Sequence, residues 1–217
     1  MNTNDVPILL LNKDSIVCHE LVGDKVVELM RNISENKILK KPISCIKVNN
    51  KYLILDGHHR YTALCNLGYD LIPVRLYQNS DIDLNYWYHI IGEREYAQII
   101  TYVNKMKYIK FGSSREKAII SMGHNNIMYD ICASQEDLFT VIESVFKIYK
   151  HTDIELASNQ CKDKPWICYN GVNFQSIVDL AIQNKLLPYS ITRFIGIDRD
   201  SEFNIKLNSH SYANFRV

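Results

Sequence analysis

The sequence has little of several things, and each scarcity excludes a class of protein. Its 217 residues include only 8 Gly and 5 Pro, too few for a collagen-like or low-complexity chain. The longest purely apolar run, residues 6–11, is far shorter than the roughly 18 residues of a membrane span. Acidic Asp5 precedes that run and no small-residue cleavage site follows it, so we expect no secretory signal. We therefore expect a soluble globular protein of the cytoplasm.

Paired cysteines and net charge are lacking as well. The six cysteines form no CxxC pair and none has a histidine at zinc-finger spacing, so we expect thiols rather than disulfides or zinc ligands. The 25 Lys and Arg residues nearly balance the 24 Asp and Glu residues. Because a duplex-DNA binder needs a concentrated positive field, we expect neither a nucleic-acid partner nor a membrane partner.

Hydrophobic residues make up 47% of the chain. They follow both helix and strand patterns, and this mixture predicts an α+β protein. The polar stretch at 79–81 is the best candidate boundary, giving a domain over 1–78 and a second α+β domain over 79–217. In the first domain we predict a strand, a helix, a hairpin and a strand, at 6–11, 24–33, 43–55 and 72–77. The apolar stripe of that helix comprises Val26, Val27, Leu29, Met30 and Ile33.

The second domain has the same mixed character. Two strands are predicted around the turn 123–126, and a third follows near the end of the chain, at 117–122, 127–131 and 192–197. Helices are predicted over 136–149 and 174–184. The first of these helices has apolar residues at spacings of three and four, at Leu138, Val141, Ile142, Val145, Phe146 and Tyr149.

The segment with the clearest chemistry follows the hairpin and reads Asp56-Gly57-His58-His59-Arg60. A glycine permits a sharp turn, and the helix that follows begins with unpaired N–H groups at the positive end of its dipole. The two histidines and the arginine add donors for phosphate oxygens, and Asp56 could hold Mg²⁺ shared with those phosphates. The alternative is structural, with Asp56 capping the helix and Arg60 forming a salt bridge.

This loop, with the preceding hairpin and the later Leu67-Gly68-Tyr69, resembles the ParB/sulfiredoxin-like superfamily and most of all its free serine kinase branch. That branch makes O-phospho-L-serine from L-serine, for cysteine synthesis in archaea and for siderophore precursors in some bacteria. The resemblance implies a kinase with ATP or ADP as donor and Mg²⁺ as cofactor.

The resemblance also implies roles for residues outside the loop. The pair His19-Glu20 resembles a His-Glu pair whose glutamate is the catalytic base, so Glu20 and Asp56 are the predicted catalytic residues. The pairs Thr192-Arg193 and Trp87-Tyr88 resemble a substrate-binding pair and an aromatic pair of the kinases. Gly57, His58, His59 and Arg60 would bind nucleotide, and the predicted substrate-binding residues are His19, Asn32, Trp87, Thr192 and Arg193.

Two departures from family patterns bear on the substrate. Where sulfiredoxins have their working cysteine this chain has His58, which excludes sulfinic acid reduction. A substrate-binding serine of the kinases corresponds to Asn32, whose amide also donates and accepts hydrogen bonds. Two alternative functions stay open, a nucleotide-sensing regulator without turnover and a ParB-like nucleotide-gated DNA clamp. The choice between ATP and ADP, the pathway and the oligomeric state also stay open.

Overall fold

The computed structural model describes residues 7–106, 110–112, 118–134 and 136–207. These residues divide into two units. The first comprises 7–83, 178–186 and 194–207, and the second comprises the described residues of 84–177 and 187–193. The sequence suggested one boundary, at 78/79, whereas two later segments of the chain return to the first unit. Short-range patterns do not encode such a return, because it depends on long-range packing.

The first unit contains a five-stranded mixed sheet in the order β1-β6-β4-β5-β2. Its strands are β1 (Ile8–Asn12), β2 (Ile16–Val17), β4 (Ile43–Val48), β5 (Lys51–Asp56) and β6 (Leu71–Tyr77). β4 and β5 form the predicted hairpin, in which Asn49 adopts a positive φ of 53°. A separate antiparallel pair joins β3 (Ile38–Leu39) to β15 (Ile205–Lys206).

Two helices of the first unit, α1 (Lys25–Asn36) and α2 (His58–Asn66), share an apolar core with the sheet. Val26 and Ile33 of α1 are buried there beside Ala63 and Leu64 of α2. The predicted stripe of α1 is wrong at Val27, which is 67% exposed. Valine at that position lies on the solvent side of a helix whose buried positions are seven residues apart.

The second unit contains a six-stranded sheet in the order β12-β8-β13-β10-β11-β9, with every pair antiparallel. Its strands are β8 (Tyr88–Ile90), β9 (Lys110–Gly112), β10 (Ala118–His124), β11 (Ile127–Cys132), β12 (Glu155–Ala157) and β13 (Trp166–Cys168). Its helices are α3 (Glu93–Lys105) and α4 (Leu138–Tyr149). The six apolar residues predicted to form one face of α4 are all buried, which confirms that pattern.

In three further elements the chain passes from one unit to the other, namely β7 (Asp83–Tyr86), α5 (Phe174–Ile182) and β14 (Thr192–Ile195). Short 3-10 turns occur at Lys13–Ser15 and Asn79–Asp81. Val6 and Lys117, which were included in predicted strands, lie outside the described residues. Among the described residues, no helix is both long enough and apolar enough to span a bilayer.

Candidate functional site

The loop between β5 and α2 is built on a glycine that no other residue could replace without strain. Gly57 has a φ of +104° at the N-cap of α2, in a region that L-residues rarely adopt. A Cβ atom on Gly57 would also lie 3.0 Å from Nη2 of Arg60. The glycine therefore permits both the sharp turn and the folding of the Arg60 side chain back over it.

Arg60 folds back onto Asp56. This is the salt bridge that the sequence analysis gave as the alternative to phosphate binding. Its Nη2 donates to Oδ2 of Asp56, forming an ion pair across one helical turn. Its Nη1 donates to the carbonyl oxygens of Lys41 and Pro42, at 3.1 and 2.6 Å. Both ends of the guanidinium group are thus engaged within the protein, and they fix the loop to the segment before β4. A role of Arg60 in holding a phosphate stays a prediction.

The two histidines of the loop contact the segment that contains Glu20. Nε2 of His58 lies 3.2 Å from Nδ1 of His19. Nε2 of His59 accepts a hydrogen bond from the backbone N–H of Gly23 at 3.1 Å. These contacts lie on either side of Glu20 in the chain, so α2 holds this carboxylate-bearing segment at two points.

The environment of these histidines favours their neutral form. Desolvation lowers the pKa of His58 to about 4, although the neighbouring Asp56 opposes the shift. Desolvation, followed by the charge of His58, lowers the pKa of His19 well below its ordinary value. Burial and then the charge of Lys25 lower the pKa of His59. Neutral imidazoles position their neighbours but contribute no countercharge for an anion.

Glu20 and His19 lie side by side and differ in exposure. The Glu20 side chain is 10% exposed, and its Oε1 lies 3.9 Å from Nε2 of His19. His19 is fully buried, with its ring 5.8 Å from that of Phe194. A fully buried ring offers little surface to a substrate, so the predicted substrate contact of His19 stays a prediction. What the structure shows is that His19 lies beside Glu20.

The first unit has a cavity of about 730 Å³ next to the loop, within the size range of small-molecule and cofactor sites. Aliphatic side chains, carboxamides and cations all contribute to its lining, among them Leu29, Ile38, Asn32, Asn204, Lys41 and Arg60. Such a lining suits a ligand with an apolar ring, hydrogen-bonding edges and negative charge. The predicted substrate residue Asn32 thus lies on the same cavity as Arg60 of the loop.

The residues around Asp56 do not fit a protein-held Mg²⁺ ion. Mg²⁺ needs oxygen ligands that are available to it, whereas Oδ2 of Asp56 pairs with Arg60 and Oδ1 lies 3.7 Å from Nε of Arg199. In the part of the chain that the structure describes, no three His, Cys, Asp or Glu residues are grouped to hold a metal ion. The predicted role of Asp56 as the metal ligand is therefore not supported by this arrangement.

The remaining predicted substrate residues are described within the second unit. The guanidinium carbon of Arg193 lies 4.5 Å from the centroid of the Trp87 ring, a cation–π contact. The two predicted residues Trp87 and Arg193 are thus brought together, and both are partly exposed. Thr192, the neighbour of Arg193, is 8% exposed.

The sequence alone did not identify three polar or charged residues at this site. Arg199 approaches Asp56, while Lys41 and Asn204 line the cavity. Arg199 and Asn204 are more than 130 residues from the loop. No local motif marks these two residues, because only the return of the chain to the first unit brings them to the site.

Comparison with known proteins shows which proteins the chain resembles. No family model matches the chain. The chain is 29% identical over 141 residues to the ATP-dependent L-serine kinase of Staphylothermus marinus, covering 58% of this chain and 56% of that protein. It is 38% identical over 91 residues to the ATP-dependent L-serine kinase of Desulfurococcus mucosus, covering 39% of this chain and 36% of that protein. The chain thus spans only about half, or less, of the length of these curated relatives.

Solved structures define the fold further. The structure matches C-terminally truncated SbnI from Staphylococcus aureus with a TM-score of 0.77 at 19% identity, covering 95% of this chain and 88% of that one. It matches a free serine kinase in complex with AMP with a TM-score of 0.69 at 18% identity, covering 94% and 95%. The chain therefore has the α+β fold of these two proteins. The resemblance to L-serine kinases that the sequence indicated is confirmed by the names of the curated relatives.

Proposed function

We propose that the protein is a small-molecule kinase that transfers a phosphoryl group from ATP or ADP to the hydroxyl of free L-serine. The observation that carries the proposal is that the loop histidines contact His19 and Gly23, which flank Glu20 in the chain. This arrangement ties a single carboxylate to the same helix whose N-terminus would face the donor phosphates. Kinases named for L-serine among the relatives support the same reading.

The chemistry requires a base, a positioned donor and a positioned acceptor. Glu20 accepts the proton of the serine hydroxyl as its oxygen forms a bond to the terminal phosphorus of the nucleotide. The bond between that phosphorus and the bridging oxygen breaks, and the nucleotide leaves with one phosphoryl group fewer. The neutral His19, 3.9 Å from the carboxylate, restricts where the carboxylate can lie.

The donor nucleotide is assigned to the cavity beside the loop. Its aliphatic lining suits the adenine ring, its carboxamides suit the polar edges of the base and ribose, and its cations suit phosphates. The N–H groups of the first turn of α2 add a positive dipole end. We place Mg²⁺ on the phosphate oxygens of the nucleotide itself, since these are ligands that it prefers.

The acceptor is assigned to Arg193, whose planar fork suits the α-carboxylate of an amino acid. Trp87 holds the guanidinium by its ring face, and this leaves the edges of the fork for a carboxylate. Thr192 adds a hydroxyl beside it. Recognition of a free carboxylate would distinguish free serine from a serine within a peptide chain.

The test is to incubate the pure protein with L-serine, Mg²⁺ and either ATP or ADP, and to look for O-phosphoserine by ³¹P NMR and mass spectrometry. We expect O-phosphoserine with at least one donor, and no phosphorylated acceptor when D-glycerate replaces L-serine. Nucleotide binding without product from either donor would contradict the kinase and favour the regulator. Strongly salt-dependent binding to duplex DNA that responds to nucleotide would favour the clamp.

A further inference from the structure

We propose that Arg199 is an anion-binding residue of the nucleotide site, and that Asp56 positions the guanidinium groups of Arg60 and Arg199 instead of binding a metal ion. The inference rests on the proposed function, because it assigns residues to the phosphates of the donor. It concerns the return segment, defined as residues 194–204, which belongs to the first unit.

Asp56 faces one guanidinium group with each of its oxygens. Oδ2 accepts from Nη2 of Arg60, and Oδ1 lies 3.7 Å from Nε of Arg199. A carboxylate held between two guanidinium groups has little negative potential left for a cation. The carboxylate thus lies between the two guanidinium groups and attracts both.

Arg199 retains donors that a ligand could use. Its Nη1 donates to the carbonyl oxygen of Phe194 at 2.7 Å, and its Nε faces Asp56. Its Nη2 has no hydrogen-bond partner among the residues that the structure describes, and the side chain is 36% exposed. Arg60, by contrast, uses both terminal nitrogens within the protein. Of the two arginines on Asp56, Arg199 is the one with a terminal nitrogen to offer.

The return segment is anchored firmly enough to place Arg199. The adjacent residue Asp198 forms a 2.9 Å ion pair with Arg75, which is 2% exposed. The backbone N–H of Ser201 donates to Asp198 at 3.0 Å, and this bond contributes most to a pKa of about 2 for that carboxyl. The ammonium group of Lys41 donates to the carbonyl oxygen of Arg199. Arg199 is therefore tied down on both sides in the chain.

The local charge favours an anion over a cation. Arg60 and Arg199 both lie against the carboxylate of Asp56, and the ammonium group of Lys41 lies on the carbonyl oxygen of Arg199. The neighbouring carboxylate of Asp198 is paired with Arg75, and burial favours the neutral form of the loop histidines. The excess of positive charge lies beside a cavity that Lys41 and Arg60 line. Phosphate groups match this excess, and each phosphate added to the ligand should strengthen binding.

Calorimetric titration of adenosine, AMP, ADP and ATP into wild type and variants tests the role of Arg199. We expect Arg199→Ala to weaken ATP binding roughly 10- to 100-fold and to leave adenosine binding within about twofold. Arg199→Lys should recover part of the loss, because it keeps the charge without the fork. Arg31→Ala, which removes an exposed cation of α1 outside the cavity lining, is the control for net charge and should change neither affinity.

Asp56→Asn separates the two roles of Asp56 when ATP is titrated in EDTA and in Mg²⁺. We expect the ratio of ATP affinity in Mg²⁺ to ATP affinity in EDTA to be the same in this variant as in wild type. We also expect Arg199→Ala to weaken ATP binding by threefold or less in the Asp56→Asn background. A ratio that falls to one in Asp56→Asn would identify Asp56 as a metal ligand, and would overturn the proposal that Asp56 positions the two arginines instead.

The outcomes separate this inference from the proposed function. If wild type binds ATP no better than adenosine, the proposed function fails and this inference fails with it. If wild type discriminates between them but Arg199→Ala binds ATP as wild type does, only this inference fails.

Discussion

Each unit of the protein buries histidine side chains, and a comparison of the two clusters shows what burial alone can reveal. In the first unit His58 and His19 are buried together, and in the second His89 is buried with two tyrosines. Desolvation lowers the pKa of both His58 and His89 to about 4. By burial and by pKa, the two clusters are indistinguishable.

In the cluster of the second unit, the donor and the acceptor of each hydrogen bond follow from the contacts. Nε2 of His89 lies 2.7 Å from the carbonyl oxygen of Ser190 and must donate to it, so Nδ1 accepts from the Tyr149 hydroxyl at 2.9 Å. Tyr149 then accepts from the Tyr169 hydroxyl at 2.5 Å. Such a closed, buried network specifies a core and leaves no group for a ligand.

The cluster of the first unit differs in what lies next to it. His58 follows a glycine at positive φ, and its partner His19 is adjacent to Glu20, a carboxylate that keeps some exposure. Cations and a cavity lie beside the same loop. A buried neutral histidine therefore indicates function only through its neighbours, and the perturbed pKa carries no such information here.

The largest expected difference between the clusters is in turnover. Glu20→Gln keeps the size and polarity of the side chain but removes the base, so we expect kcat for L-serine to fall 10²- to 10⁴-fold with nucleotide affinity unchanged. Tyr169→Phe, which removes the terminal donor of the second cluster, should lower the melting temperature and leave nucleotide affinity as in wild type. Steady-state kinetics, calorimetry and thermal unfolding measure these effects. Wild-type turnover in Glu20→Gln would show that the base is elsewhere.

Acid should destabilise both clusters by the same mechanism. A histidine of the unfolded chain takes up a proton near pH 6.5, whereas His58 and His89 resist protonation until about pH 4. The unfolded state therefore binds more protons across this interval, and the free energy of unfolding should fall as the pH falls from 6.5 to 4, by up to roughly 3 kcal/mol per histidine.

The measurement is urea unfolding between pH 7 and 4.5 for wild type and His89→Gln. Glutamine can both donate and accept, but it does not titrate. We expect the variant to lose less stability on acidification than wild type does. Equal losses in the two proteins would mean that His89 is protonated in the native state or does not contribute.

Much of the local structure could be predicted from the sequence, because it depends on neighbours in the chain. The periodicity of α4 gave its buried face, and the polar turn at Asn49 marked the hairpin. The run from Asp56 to Arg60 was recognised as a glycine turn into a helix, which the structure confirms. These features follow from residue spacing and backbone preference alone.

The partners of the site residues could not be predicted, because they depend on distant parts of the chain. The contacts of the loop histidines with His19 and the backbone of Gly23 were not indicated by the sequence, and their contact with phosphate stays a prediction. Asp56 was expected to hold a metal ion, and the approach of Arg199 from the return segment was invisible. A donor in a motif is available to a ligand only if the fold leaves it unpaired, and a sequence does not show that.

A smaller effect should separate recognition of the acceptor from chemistry. If Arg193 binds the carboxylate alike in the ground and transition states, Arg193→Ala raises KM for serine roughly 10- to 100-fold with little change in kcat. Arg193→Lys should remain impaired because it loses the planar fork. Ethanolamine, which lacks the carboxylate, should be a poor substrate that is indifferent to either change. An unmoved KM for serine in Arg193→Ala would place the carboxylate contact elsewhere.

The smallest expected effect tests the glycine turn that distinguishes the first cluster from the second. Gly57 and Gly68 both adopt positive φ, at 104° and 83°, so alanine at either position should cost on the order of 1 kcal/mol in the free energy of unfolding. Only at Gly57 does the added Cβ meet Arg60, since nothing lies within 4 Å of it at Gly68. We therefore expect similar losses in melting temperature, but a severalfold loss of ATP affinity in Gly57→Ala alone. Equal ATP affinities in the two variants would mean that the placement of Arg60 over the loop is irrelevant to nucleotide binding.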